Sequence, residues 1–117
     1  MDLNDAVAKH AEWKTKFRVA ITKKETMDAH TIAKDNCCDL GKWLHEDGLR
    51  QFGKLHSHRD CVVKHAQFHT EAGKVAVTIN AKKYEEAEHM LNAGTPYASA
   101  SSAVGIAIMK LQKEANL

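Results

Sequence analysis

Residues 54–80 read KLHSHRDCVVKHAQFHTEAGKVAVTIN, and their periodicity decides the fold class. Leu55, His58, Val62, His65, His69, Ala72, Ala76 and Ile79 recur at steps of three and four over more than three heptads. This is the seam of a long helix packed along a bundle. Upstream, Asp2 to about Lys23 carries the same period in Leu3, Ala6/Val7, His10, Trp13, Phe17 and Ala20/Ile21, with Asp2 placed to cap it. Thr26 is a candidate cap for a short helix over about Met27–Lys34, closed by Asp35 and Asn36. Leu40 to about His45 reads as a second short helix, stopped by Asp47-Gly48.

Downstream, Ala81 to about Leu91 is a short helix with Ala87, Met90 and Leu91 inward, stopped at Asn92-Ala93-Gly94, where Gly94 suits a left-handed cap. Thr95-Pro96 opens the last helix, because proline at the first helical position loses no needed hydrogen bond. Its inner stripe is Ala98, Ser101, Val104/Gly105, Ile108 and Leu111. No stretch alternates like a strand. The expected fold is all-α, a four-helix bundle of three long helices and one shorter, broken one.

The 117 residues are expected to form one domain over 1–117. Hydrophobic residues at 44% and charged residues at 27% give an ordinary globular composition. The net charge is +2, and the lysines are interleaved with glutamates, as in Lys23-Lys24-Glu25 and Lys82-Lys83 before Glu85-Glu86. This excludes the concentrated basic footprint of a nucleic-acid binder. No apolar run reaches the roughly 20 residues of a membrane span, and no signal-peptide core is present, so a cytoplasmic location is expected. Three cysteines, two of them adjacent, fit a reducing compartment and thiol or metal chemistry better than a disulfide framework.

Eight histidines invite an explanation, and the faces they occupy are informative. His10 lies on the apolar stripe of the first helix, while His65 and His69 stand one turn apart in the central seam. At that spacing their Cβ atoms lie about 5–6 Å apart on one face. A buried imidazole without a partner costs about 1–3 kcal/mol. Each of the three is either satisfied by core hydrogen bonds or shares an ion with the others; His-x-x-x-His alone does not decide, because any two histidines on one face produce it.

Cys38-Asp39-Leu40-Gly41-Lys42-Trp43 begins at the mouth of a short helix. A thiol there is expected to be shifted toward thiolate, the form that ligates zinc. Gly41 permits close backbone approach, and Trp43 offers an apolar anchor. Here the sequence resembles the chemoreceptor zinc-binding (CZB) domain of bacterial signalling proteins, in three segments taken in order: His10-Ala11-Glu12-Trp13, Cys38-Asp39-Leu40-Gly41-Lys42-Trp43 and His65-Ala66-Gln67-Phe68-His69. The likeness spans nearly the whole chain. It implies a zinc ion held by His10, Cys38, His65 and His69, with Trp13, Leu40, Gly41 and Trp43 supporting the motif. It further implies a homodimer and, within a longer protein, a chemoreceptor or diguanylate cyclase output domain. The signal implied is zinc availability, or an oxidant such as hypochlorous acid acting on Cys38 as a redox-sensing thiol. Four protein ligands close a zinc shell, which favours regulation over catalysis. A structural zinc-stabilised dimerisation module is the alternative, and a thiol or metal enzyme a weaker one.

Other residues receive plainer readings. Cys37 is the rival of Cys38, and the phase set by Gly41 and Trp43 favours Cys38. Cys61, one residue before the inward Val62, is expected to be a flanking packing residue. His58 is in phase but two turns from His65, and is expected to bond a neighbouring helix. His30, His45 and His89 read as surface or boundary residues, and Phe17, Phe68, Met90 and Met109 as core. The Glu85-Glu86-Glu88 cluster reads as a solvated face. A di-iron reading needs carboxylates paired with histidines on several helices, and Glu-x-x-His occurs only as Glu86-Ala87-Glu88-His89.

Overall fold

The structure, a computed structural model, describes residues 1–117 and is entirely helical. Its elements are α1 (Leu3–Lys23), α2 (Ala29–Ile32), α3 (Asp39–His45), α4 (Asp47–Phe52), α5 (His56–Asn80), α6 (Tyr84–Met90) and α7 (Pro96–Glu114). Asp2 caps α1 by accepting from the Asp5 amide, and Thr95 caps α7 by accepting from the Ala98 amide. Gly94 sits at φ +84, the left-handed conformation expected of it.

α1, α5 and α7 pack together as the long members of the bundle, with α6 against all three. Phe17, Phe68, Val75, Ala76, Ile79, Leu91, Val104, Ile108 and Leu111 form the apolar interior. The predicted stripe of α1 is buried at Leu3, Ala6, His10, Phe17 and Ala20, with Val7, Trp13 and Ile21 at its edges. The α5 seam is buried as expected at His58, His65, His69, Ala72, Ala76 and Ile79, but it is wider than expected. Cys61 is fully buried where Val62 was expected, and Phe68 and Val75 join the interior. α5 is covered by α7 on one side and by α2 and α3 on another, so it needs a wider apolar stripe than a single seam. Met109 is exposed, because Ala107 and Ile108 supply the inward positions of that turn.

Residues 27–55 form a strap of short helices laid along α5. Asp28, not Thr26, caps α2, accepting from both the Thr31 amide and hydroxyl. α3 ends at His45, as expected, with the break at Glu46, but Asp47-Gly48 then opens a further helix, α4, that was not expected. Gly48 is buried there because a Cβ would lie 2.8 Å from the Trp43 carbonyl oxygen and 2.9 Å from its ring. Trp43 packs against the common core, as expected of an anchor, and also faces Phe52 at 6.0 Å between ring centres. The Asn80 side chain clasps the upstream end, accepting from the Met27 amide at 2.8 Å and donating to its carbonyl at 2.7 Å. α2 approaches α5 closely at Gly73, where a Cβ would stand 2.6 Å from that of Ala33.

Candidate metal centre

His10 from α1, His65 and His69 from α5, and Cys38 from the strap each bring one ligand atom into a cluster whose members all lie within 4.8 Å of one another. His65 Nε2 is 3.1 Å from His10 Nε2 and 3.1 Å from His69 Nε2. The Cys38 sulfur is 3.2 Å from His65 Nε2 and 3.6 Å from His69 Nε2. Three histidines and one thiol placed around a zinc ion at ordinary bond lengths stand about 3.3–3.6 Å apart. The observed spacings bracket that range.

The outer nitrogens fix the chemistry of the inner ones. His10 Nδ1 lies 2.7 Å from the Ala6 carbonyl oxygen, and His69 Nδ1 lies 2.8 Å from the Ile32 carbonyl oxygen. A carbonyl only accepts, so both Nδ1 atoms carry the proton and both Nε2 atoms present a lone pair to the cluster. His65 is wholly buried, and its Nδ1 has no partner. Without an ion, the neutral His65 ring and the Cys38 thiol bring one proton each to four close contacts, so at most two can be hydrogen bonds. More protons are resisted. Burial, with His69 and His10 adding to it, pushes His65 down to about 2. Burial also lowers His10 and His69, against the opposing carbonyl bonds from Ala6 and Ile32. A cation at the point of convergence satisfies all four donors at once, so the residues fit zinc.

Cys38 departs from one expectation. It is the N-cap of α3, and its sulfur accepts from the Gly41 amide at 3.3 Å. Even so, burial raises the thiol above its ordinary range, outweighing the backbone N–H groups of Gly41, Leu40 and Cys38 itself. The helix terminus alone does not make a thiolate here; the charge of a bound cation would. Cys37 is exposed and outside the cluster, whereas Cys38 is within it.

The supporting positions have distinct roles. A Cβ on Gly41 would stand 1.7 Å from the Asp35 carbonyl oxygen and 3.1 Å from His65 Cε1, so only glycine lets the strap fold this tightly over His65. Leu40 is buried in the common core. Trp13 is half-buried, 5.5 Å from the Phe17 ring, with the Lys16 ammonium 4.7 Å above it. His58 donates from Nε2 to the Leu44 carbonyl at 2.8 Å, the bond to a neighbouring helix expected of it. His30, His45, His56 and His89 are exposed, and His45 pairs with Asp35 at 2.9 Å. Glu85 and Glu86 are exposed, as expected, while Glu88 pairs with Arg18 at 3.3 Å.

Sequence reasoning missed the two carbonyl acceptors, Ala6 and Ile32. The first is a neighbour at i−4 and could have been inferred from helix geometry. The second depends on where the strap lies, and no side-chain pattern marks it.

No helix is long and apolar enough to cross a membrane. No curated protein and no solved structure matches the chain. The family model of the chemoreceptor zinc-binding domain matches residues 10–76, more than half of the chain. That match begins on His10 and takes in Cys38, His65 and His69. The chain therefore belongs to the chemoreceptor zinc-binding domain family, a family of regulatory zinc-binding domains of signalling proteins.

Proposed function

We propose that His10, Cys38, His65 and His69 hold one zinc ion as the sensory element of a single regulatory domain spanning residues 1–117. The observation that carries this reading is the convergence of three Nε2 atoms and one sulfur within 4.8 Å, two of the nitrogens bearing lone pairs fixed by carbonyl partners. When bound, zinc supplies the charge that keeps Cys38 as a thiolate and cross-links the strap to α1 and α5. His10 and His69 are oriented by Ala6 and Ile32, and Gly41 lets the strap close over His65.

The signal is zinc availability or an oxidant such as hypochlorous acid. In either case loss of the Cys38 bond frees the strap, and an attached output module of chemotaxis or cyclic-di-GMP signalling reads that change. The four-ligand shell supports a non-enzymatic role. A homodimer in the cytoplasm is the expected setting. Native mass spectrometry with metal analysis tests the site: one zinc per chain is expected, and none after His65→Ala. A chain that binds no zinc, or a Cys38→Ser variant with full zinc affinity and unchanged oxidant reactivity, would sink the reading.

A further inference from the structure

Cys37 lies outside the four-residue cluster although it is covalently adjacent to Cys38. It is exposed, and its sulfur meets only the Asn36 side-chain oxygen, at 3.7 Å. Cys37 and Cys38 line one open cleft of about 640 Å³ between α1 and the start of α3, with His10, Lys9, Lys42 and Asp39 among its walls. A small molecule that reaches Cys38 through this cleft has Cys37 beside it. The remaining thiol is differently placed: Cys61 is fully buried, burial pushes it up to about 12, and it does not line the cleft.

We propose that Cys37 is the resolving thiol of the Cys38 site, closing an oxidised Cys38 into a disulfide between adjacent residues and so releasing the strap reversibly. This rests on the oxidant-sensing form of the function proposed above. With hydrogen peroxide, the Cys38 sulfur attacks one peroxide oxygen; a sulfur–oxygen bond forms, the oxygen–oxygen bond breaks, and hydroxide leaves with its electron pair. The Cys37 sulfur then attacks the Cys38 sulfur. The disulfide forms, the sulfur–oxygen bond breaks, and the departing hydroxide takes the Cys37 proton as water. Two thiols lose two electrons to one peroxide, and the protein retains no oxygen. Hypochlorous acid reaches the same sulfenic acid once water displaces chloride from the sulfur.

The product suits a resettable signal. Neighbouring Cα atoms are about 3.8 Å apart, below the roughly 4.4–6.8 Å usual for a disulfide, so such a bond is strained and easily reduced. Capture by Cys37 also keeps Cys38 from further oxidation to sulfinic acid, which thiols do not reverse.

The test treats the zinc-loaded full chain and its Cys37→Ser variant with hydrogen peroxide, with dimedone as sulfenate trap, zinc release followed by a chromogenic chelator, and peptide mass mapping. Equal zinc content before oxidation shows that the variant is folded and loaded. The wild-type chain is expected to lose both thiols together, gain no oxygen, and recover zinc binding fully with a thiol reductant. The variant is expected to give the dimedone adduct at Cys38, then sulfinic acid, and to recover at least about tenfold less zinc binding. Equal sulfenate or sulfinate at Cys38 in both proteins overturns the resolving role and leaves oxidant sensing standing. So does a Cys37 disulfide between two chains. An unmodified Cys38 in both proteins defeats oxidant sensing itself.

Discussion

Where α1, α5 and α7 meet, the contacts are apolar and closed to solvent: Phe17, Phe68, Val104, Ile108 and Leu111 are all buried to within 1% of full. Where residues 27–45 meet that bundle, specific polar contacts carry more of the attachment. Asn80 grips Met27, His69 donates to Ile32, the Cys38 sulfur reaches His65 and His69, and His58 donates to Leu44, with Ile32, Leu40 and Leu44 as the buried apolar anchors. The bundle is held by area, which degrades gradually. The strap is held at points, one of which is the proposed metal ligand Cys38. A molecule built this way can change one region without unfolding the other.

Withdrawal of zinc is the harshest test of that contrast. Structural zinc in small metallodomains is worth on the order of 10–16 kcal/mol of apparent binding free energy. After chelation, amides of residues 28–45 are expected to lose hydrogen-exchange protection while the centres of α5 and α7 keep theirs; simultaneous loss everywhere would break the comparison. Leu111→Ala removes a fully buried side chain from α7, which supplies no ligand. It is expected to cost about 2–5 kcal/mol in denaturant titration with zinc affinity little changed.

Gly41→Ala acts on the strap instead. Its Cβ collides with the Asp35 carbonyl, so zinc affinity is expected to fall about 10–100-fold by competition with a chelator, with far-UV circular dichroism nearly unaltered. Asn80→Ala removes two hydrogen bonds to Met27 and is expected to cost about 1–2 kcal/mol, read as faster exchange confined to the strap's upstream end.

The pH response of the zinc-free chain probes the cluster without its metal. His10, His65 and His69 are depressed in the folded state, so below the ordinary value of 6.5 the unfolded chain binds protons that the folded chain refuses. Their stability contribution is present above that pH and is lost as pH falls, for His65 down to about 2. Cys38 is raised, so its contribution is present below the ordinary thiol value of 9.0 and is lost as pH rises through its folded value. Urea titrations from pH 4 to 10 should show stability declining on both sides of the range between 6.5 and 9.0. A flat profile would mean that the cluster opens to solvent when the metal leaves.

Most of the bundle was legible because burial of long helices leaves a period in the sequence, and the caps Asp2 and Thr95 and the left-handed Gly94 mark their ends chemically. The full burial of Cys61 beside the partly buried Val62 was not legible: a strict heptad drifts about 20° per repeat against a straight helix, and only the neighbours decide which edge is covered. α4 was hidden by Asp47-Gly48, which reads as a stop but fills the space under the Trp43 ring. The cluster itself was legible as three short motifs. What orients it was legible only in part: the Ala6 carbonyl follows from helix geometry, whereas the Ile32 carbonyl is a main-chain atom that any residue type would provide.

The strap's anchorage at both ends, to Asn80 through Met27 and to His58 through Leu44, has a consequence for how Cys38 comes back. A ligand on a free peptide would diffuse away after losing its ion. Cys38, tethered at Met27 upstream and at Leu44 downstream, stays within reach of the three imidazoles at an effective concentration on the order of millimolar. On the function proposed above, rebinding is then intramolecular, and the site would act as a latch that resets as soon as its thiolate is restored.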